Sequence, residues 1–195
     1  MSRKLAAALD AALILQTYSR LVIDCNRPVR SADSIVSVSE RTAIPGNLHV
    51  SLQDGEQRAR EIFWPYHDRI RATLDARQTR RQPTLLLAMH SFTARYLDQS
   101  RPWHVGVLYN RDARLARFLL AALRREPDVV VGDNEPYTVS DDTDFAIPEY
   151  GERRGLLHAE IEIRQDLIAD EAGQERWAQR LARLLRVLPG GFIPP

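Results

Sequence analysis

The stretch Leu85-Leu86-Leu87-Ala88-Met89-His90-Ser91-Phe92-Thr93 constrains this chain most. Leu85 to Met89 is a continuous apolar run with no alternation, the pattern of a strand covered on both faces. His90, Ser91 and Thr93 then put groups able to bind a metal or hydrogen-bond at the strand's carboxyl end, where open α/β sheets bind their ligands. The plainer reading is a core strand followed by a surface histidine, and the spacing alone leaves both open.

The segments around this strand alternate between strand and helix. Residues 2–10 read as a short helix with Leu5 and Leu9 on one face. Leu13-Ile14-Leu15 and Leu21-Val22-Ile23 read as two short strands, the second closed by Asp24-Cys25-Asn26-Arg27-Pro28. Residues 29–50 form a long loop, and loops longer than about 15 residues are usually functional or mobile. Ser51 with Asp54 marks a helix start. Ala59, Ile62, Phe63, Tyr66, Ile70 and Leu74 continue that helix as an apolar stripe, kinked at Pro65. His67 is expected on its polar face. After a loop over 94–102, residues 104–109 form a strand and 112–125 an amphipathic helix. Val129-Val130-Val131 is a short buried strand, and a short helix is expected within the polar segment 136–154. His158-Ala159-Glu160-Ile161-Glu162-Ile163-Arg164 alternates strictly. His158, Glu160, Glu162 and Arg164 share one face, which is either a solvated edge strand or a site. A last helix over about 171–187 buries Trp177, Leu181, Leu184, Leu185 and Leu188, and Pro189-Gly190-Gly191 ends it. This order predicts a single α/β domain over 1–195, three layers deep, with a mixed sheet between helices.

Composition excludes several classes. A formal net charge of +1 gives no field that favours nucleic acid or an acidic membrane. The single cysteine, Cys25, rules out an internal disulfide and any multi-cysteine zinc or iron–sulfur site, and a reducing cytosol is the simplest compartment. No apolar run approaches the ~18 residues of a membrane span. Phosphate-binding glycine loops, dinucleotide fingerprints and Gly-x-Ser-x-Gly elbows are missing.

Five motifs in order carry a family resemblance. They are Ser19-Arg20-Leu21-Val22-Ile23-Asp24-Cys25-Asn26-Arg27-Pro28, Met89-His90-Ser91-Phe92-Thr93, Trp103-His104-Val105-Gly106-Val107-Leu108-Tyr109-Asn110-Arg111-Asp112, Gly132-Asp133-Asn134-Glu135-Pro136-Tyr137 and Glu160-Ile161-Glu162-Ile163-Arg164-Gln165-Asp166-Leu167. Together they resemble the N-formylglutamate amidohydrolase family, from about residue 3 to 186. The resemblance implies a zinc-carboxypeptidase-like fold, zinc at the strand ends, and a small-molecule N-acyl amino acid as substrate. It implies hydrolysis of the N-formyl (or related N-acyl) amide of glutamate to formate and glutamate.

Such chemistry needs a Lewis acid, an activated water, a carboxylate to take its proton and cations for the substrate carboxylates. By resemblance His90 is the metal ligand and Glu162 the general base, with Glu160 the second candidate. Asn26 and Arg27 match the pair expected to hold a substrate carboxylate or the oxyanion. Asn110 and Arg111 could hold the second carboxylate, or simply form a strand-end turn. The family's amino-terminal histidine and aspartate motifs find no counterpart, and His49, His67, His104 and His158 do not match them. This leads to the expectation of an amino-terminally truncated hydrolase, weak in zinc binding, inactive as it stands and prone to self-association through an open strand. The alternative is a non-catalytic relative that binds an acidic ligand or a partner protein through the same cleft.

Overall fold

Strict alternation over residues 157–164 makes one sheet strand with two different faces, and the structure is organised about it. The structure is a computed structural model and describes residues 1–188. In chain order its helices and strands are α1 (Ser2–Leu9), β1 (Val38–Ser39), β2 (Thr42–Ala43), α2 (Leu52–Arg58), α3 (Trp64–Thr79), β3 (Leu85–Phe92), β4 (Arg95–Tyr96), β5 (Gln99–Ser100), β6 (Val105–Leu108), α4 (Arg114–Leu123), β7 (Val131–Asp133), β8 (Leu157–Arg164) and α5 (Glu171–Arg186). Single π-helical turns cover Ala59–Phe63 and Ile147–Glu152. The chain forms two compact units. The first holds Met1–Leu13, Pro83–Val139 and the chain from Ile147 on; the second holds Ile14–Gln82 and Ser140–Ala146.

In the first unit a four-stranded mixed sheet runs in the order β3-β8-β6-β7. β3 is parallel to β8, β6 antiparallel to β8, and β7 parallel to β6. Ala159, Ile161 and Ile163 of β8, with Val105 and Val107 of β6, point to one face. There they bury against Leu5 of α1, Leu115, Leu119 and Leu123 of α4, and Trp177, Leu181 and Leu185 of α5. Apolar burial of this kind contributes about 25 cal/mol per Å² and is what holds the helices to the sheet. On the opposite face Ile147 of the second π-turn packs with Leu108, Val139 and Ala88. Helical layers thus flank a central mixed sheet, the three-layer α/β arrangement expected from the sequence. Asp170 caps α5 by accepting a hydrogen bond from the Gly173 N–H at 2.6 Å.

Two expectations about strands change here. β8 is not a solvated edge: it lies between β3 and β6, and Leu157 to Ile163 are all buried. β3 instead borders the sheet among the described residues, and Leu85 to His90 are half-buried rather than covered on both faces. The short strand expected at 129–131 begins two residues later, at Val131. The segment 94–102 is not plain loop, since β4 and β5 pair within it. Pro189-Gly190-Gly191, the expected end of α5, lies outside the described residues.

In the second unit Ser51 and Asp54 form a reciprocal capping box that starts α2. The helical stripe continues through the π-turn into α3, where Pro65 occupies the first turn. Proline lacks the N–H of a regular ladder, and a π-turn just before it absorbs the missing bond. The strands expected at Leu13–Leu15 and Leu21–Ile23 do not form. Around Leu21–Ile23 side chains satisfy the backbone instead: Asn47 Nδ2 donates to the Leu21 carbonyl at 2.7 Å and Arg58 Nη1 to the Val22 carbonyl at 2.8 Å. An apolar triplet forms a strand only where a partner strand receives it. The long segment 29–50 is largely irregular, with β1 and β2 paired inside it.

His67 is not on a polar face. It is fully buried, with its ring 4.1 Å from that of Phe63 and 4.5 Å from that of Phe145, and its Nε2–H donates to the Cys25 carbonyl at 2.9 Å. Burial pushes its pKa down to about 4 from 6.5. The folded protein therefore holds His67 neutral over a range in which the unfolded chain binds a proton. Stability tied to this group is intact above pH 6.5 and is lost as pH falls from there toward 4. Lowering the pH from 7 to 4.5 is expected to remove about 2–3 kcal/mol through this residue. His67→Gln should be less stable at pH 7 but flatter in its pH dependence, as urea unfolding at the two pH values will show; an equally steep dependence in the variant would contradict this.

Candidate active site

The register of the sheet builds the site. Parallel pairing sets His90 of β3 directly opposite Glu162 of β8, and Ala88 opposite Glu160. Because residues two apart share a strand face, Glu160 and Glu162 both project to the side away from the α4–α5 core, and His90 projects with them. One ligand-capable atom from each of His90, Glu160 and Glu162 lies within 4.8 Å of the others. His90 Nε2 is 3.8 Å from Glu160 Oε2; the histidine side chain is 32% exposed while the carboxylate is 4% exposed. The imidazole thus forms the open mouth of the cluster and the carboxylates its floor. Sequestering two carboxylates side by side is costly unless a cation, a shared proton or a metal compensates. A hard or borderline cation bound by an imidazole and carboxylates matches this donor set.

Gly106 makes room for the loop after β7 beside the floor. It pairs with Glu162 across β6 and β8, and a Cβ placed there would lie 3.5 Å from Glu162 Cβ and 2.0 Å from the Glu135 carbonyl oxygen. Only a residue without a side chain lets the loop after β7 lie so close to the floor. His158 stands on the same face of β8. Its ring lies against Gly151 of the π-turn, Nδ1–H donates to the Leu156 carbonyl at 2.7 Å, and the buried Nε2 has no hydrogen-bond partner among the described residues. It is not one of the clustered donors.

The other candidate residues are committed to protein groups. Asn110 Nδ2 donates to Glu152 Oε2 at 3.3 Å, the Arg111 N–H donates to Glu152 Oε1 at 2.6 Å, and the Arg111 guanidinium pairs with the same carboxylate. Asp112 follows in the same turn, and its hydrogen bond from Arg114 holds its carboxyl below the usual range. These residues end β6 and tie it to the π-turn through Glu152, the strand-end reading of the pair. Asn26 and Arg27 belong to the second unit. Asn26 Nδ2 donates to Asp144 Oδ1 at 3.1 Å and its Oδ1 accepts from the Ala146 N–H at 3.0 Å. Arg27 pairs with Asp33 at 3.3 Å and with Asp24 and Asp144 at 3.8 Å, and donates to the Thr143 carbonyl. Of the residues selected from sequence, the fold brings together His90, Glu160 and Glu162. Sequence reasoning passed over Gly106; its position between two strand valines, in a segment ending at a polar turn, is the signal that pointed to it.

A mixed α/β sheet with an imidazole and two carboxylates converging at the carboxyl ends of parallel strands is an architecture suited to hydrolysis. The chain matches the family model of N-formylglutamate amidohydrolase over residues 2–169, and it belongs to that family of hydrolase-type enzymes. Among solved structures it is similar to a gene product of Agrobacterium tumefaciens, at 34% identity and a TM-score of 0.90, over 94% of this chain and 73% of that one. It also resembles in fold an N-formylglutamate amidohydrolase from Ralstonia eutropha JMP134, at 19% identity and a TM-score of 0.68, over 95% of this chain and 80% of that one. No curated protein matches the chain. Among the described residues no helix is long and apolar enough to cross a membrane.

Replacing Gly106 with alanine drives a methyl group into a backbone carbonyl at 2.0 Å. Overpacking typically costs 1–3 kcal/mol, so Gly106→Ala is expected to lower the urea midpoint by an equivalent of about 2 kcal/mol. An unchanged midpoint would show that the loop after β7 does not rest on the floor of the site.

Proposed function

We propose that this protein is a metal-dependent amidohydrolase that cleaves the N-formyl, or a related N-acyl, amide of glutamate to release formate and the free amino acid. The observation that supports this reading best is the register that places His90 opposite Glu162 with Glu160 alongside. In this reading His90 and Glu160 hold zinc, and Glu162 is the general base. A catalytic zinc commonly takes three protein ligands, and His90 and Glu160 would supply two of them. When bound, zinc supplies Lewis acidity toward the amide carbonyl and makes water nucleophilic near neutral pH.

The chain's own residues then divide the work. A Glu162 carboxylate oxygen accepts a proton from the attacking water as the new C–O bond forms, and returns it to the amide nitrogen as the C–N bond breaks. The buried floor limits competing bulk water, and a low local dielectric strengthens the field of each charge in the cluster. Formate leaves with the oxygen taken from water, and the amine leaves with the proton that Glu162 carried.

Formate release from N-formylglutamate, assayed with added zinc and with a chelator, tests the reading. Activity is expected with zinc, against the inactivity anticipated from the missing amino-terminal motifs, because Glu160 stands beside His90 as a second ligand, and it is expected to vanish on chelation. Glu162→Gln should retain zinc and lose about 10²–10⁴-fold in kcat, the usual contribution of a general base. His90→Ala should weaken zinc binding in equilibrium dialysis. Unimpaired turnover by Glu162→Gln, or formate release indifferent to a chelator, would overturn the assignment.

A further inference from the structure

Beyond the end of β3, in the first unit, one arginine is held unlike its neighbours. Arg101 follows the short β4–β5 ladder, and its N–H donates to the Ala94 carbonyl at 2.9 Å. Its guanidinium carbon lies 4.8 Å from the centre of the Tyr96 ring and 4.9 Å from that of Tyr137. Nη1 donates to the Tyr137 hydroxyl at 2.9 Å and reaches Thr93 Oγ1 at 3.4 Å. The Nε–Nη2 edge has no partner among the described residues, and no carboxylate is within ion-pair distance of the group. By contrast Arg111, Arg114 and Arg164 each carry a carboxylate partner. Tyr96 and Tyr137 are both about two-fifths exposed, so the clamp faces solvent.

Two short stretches of chain join this clamp to the cluster. Thr93 stands three residues past His90, and three residues of extended chain span at most about 10 Å. Tyr137 stands two residues past Glu135, whose carbonyl rests on Gly106 beside Glu162. A planar cation fixed between two rings has already given up rotamer freedom, and its open Nε–Nη2 edge matches the two oxygens of a carboxylate.

We propose that Arg101, held by Tyr96 and Tyr137, recognises the side-chain carboxylate of the N-acyl dicarboxylic amino acid and sets the enzyme's preference for an acidic side chain. This rests on the amidohydrolase reading above. The side-chain carboxylate is the acidic group farther from the scissile amide, and it suits a receptor one short strand segment away from His90. Arg101 thus touches substrate and acts in specificity, while the three clustered residues act in bond cleavage.

The test compares kcat/KM for N-formylglutamate, N-formylglutamine and N-formylisoglutamine in the wild type, Arg101→Met and Arg101→Lys. The glutamate-to-glutamine ratio is expected to fall at least tenfold in Arg101→Met, through KM rather than kcat. Arg101→Lys, which keeps the charge but loses the planar fork and the stacking, should fall between. The glutamate-to-isoglutamine ratio should stay the same. An unchanged glutamate-to-glutamine ratio, or a collapse in the isoglutamine ratio instead, overturns the proposal. Calorimetric binding of glutarate against butyrate separates this inference from the reaction itself. If no substrate is turned over but wild-type protein prefers glutarate and Arg101→Met does not, the clamp stands and the amidohydrolase reading fails. If the wild type shows no preference for glutarate, the clamp proposal fails.

Discussion

The parallel pairing of β3 with β8 is the constraint on which the site depends. Its register sets His90 opposite Glu162 and Ala88 opposite Glu160. A slip by one residue would turn every side chain of one strand to the other face. Glu160 and Glu162 would then point into the apolar layer of Leu119, Trp177 and Leu181, where no polar partner could compensate them. The hydrophobic alternation of β8 therefore does two things at once. Ala159, Ile161 and Ile163 secure the register by burial, and that register aims the carboxylates.

Close packing beside those carboxylates depends on a residue without a side chain. Gly106 lets the loop after β7 lie against the floor, and Ala88 pairs with Glu160 while packing against Leu108, Val139 and Ile147. Glu152, only 6% exposed in its side chain, gathers the turn at Asn110 and Arg111 and fastens β6 to the π-turn. Cations near a site serve either the scaffold or the ligand, and the difference lies in what already occupies them. Arg111 is occupied by a carboxylate of the protein, whereas Arg101 is held by rings and hydroxyls. A charge already neutralised has less to offer an incoming anion.

In the second unit the same division between scaffold and function explains His67. An imidazole packed among Phe63, Tyr66 and Phe145 and bonded to one carbonyl is held neutral and serves packing. The loops there owe their order to side chains such as Asn47 and Arg58, which take over the backbone bonds that a sheet would have made.

Much of this was legible in the residues themselves. The helices at 2–9, 52–79, 114–123 and 171–186 follow from apolar periodicity and caps, which are local properties. The strand over 157–164 follows from alternation, and the family from five ordered motifs. His90, Glu160 and Glu162 were identifiable as candidates one at a time. That Leu13–Leu15 and Leu21–Ile23 are not strands, that β8 is central and β3 borders the sheet, and that Arg101 meets Tyr137, 36 residues away, were decided by tertiary structure alone. Pairing partners, burial and cation–ring contacts join residues far apart in the chain, and a local pattern carries no information about which distant segment will supply the other half.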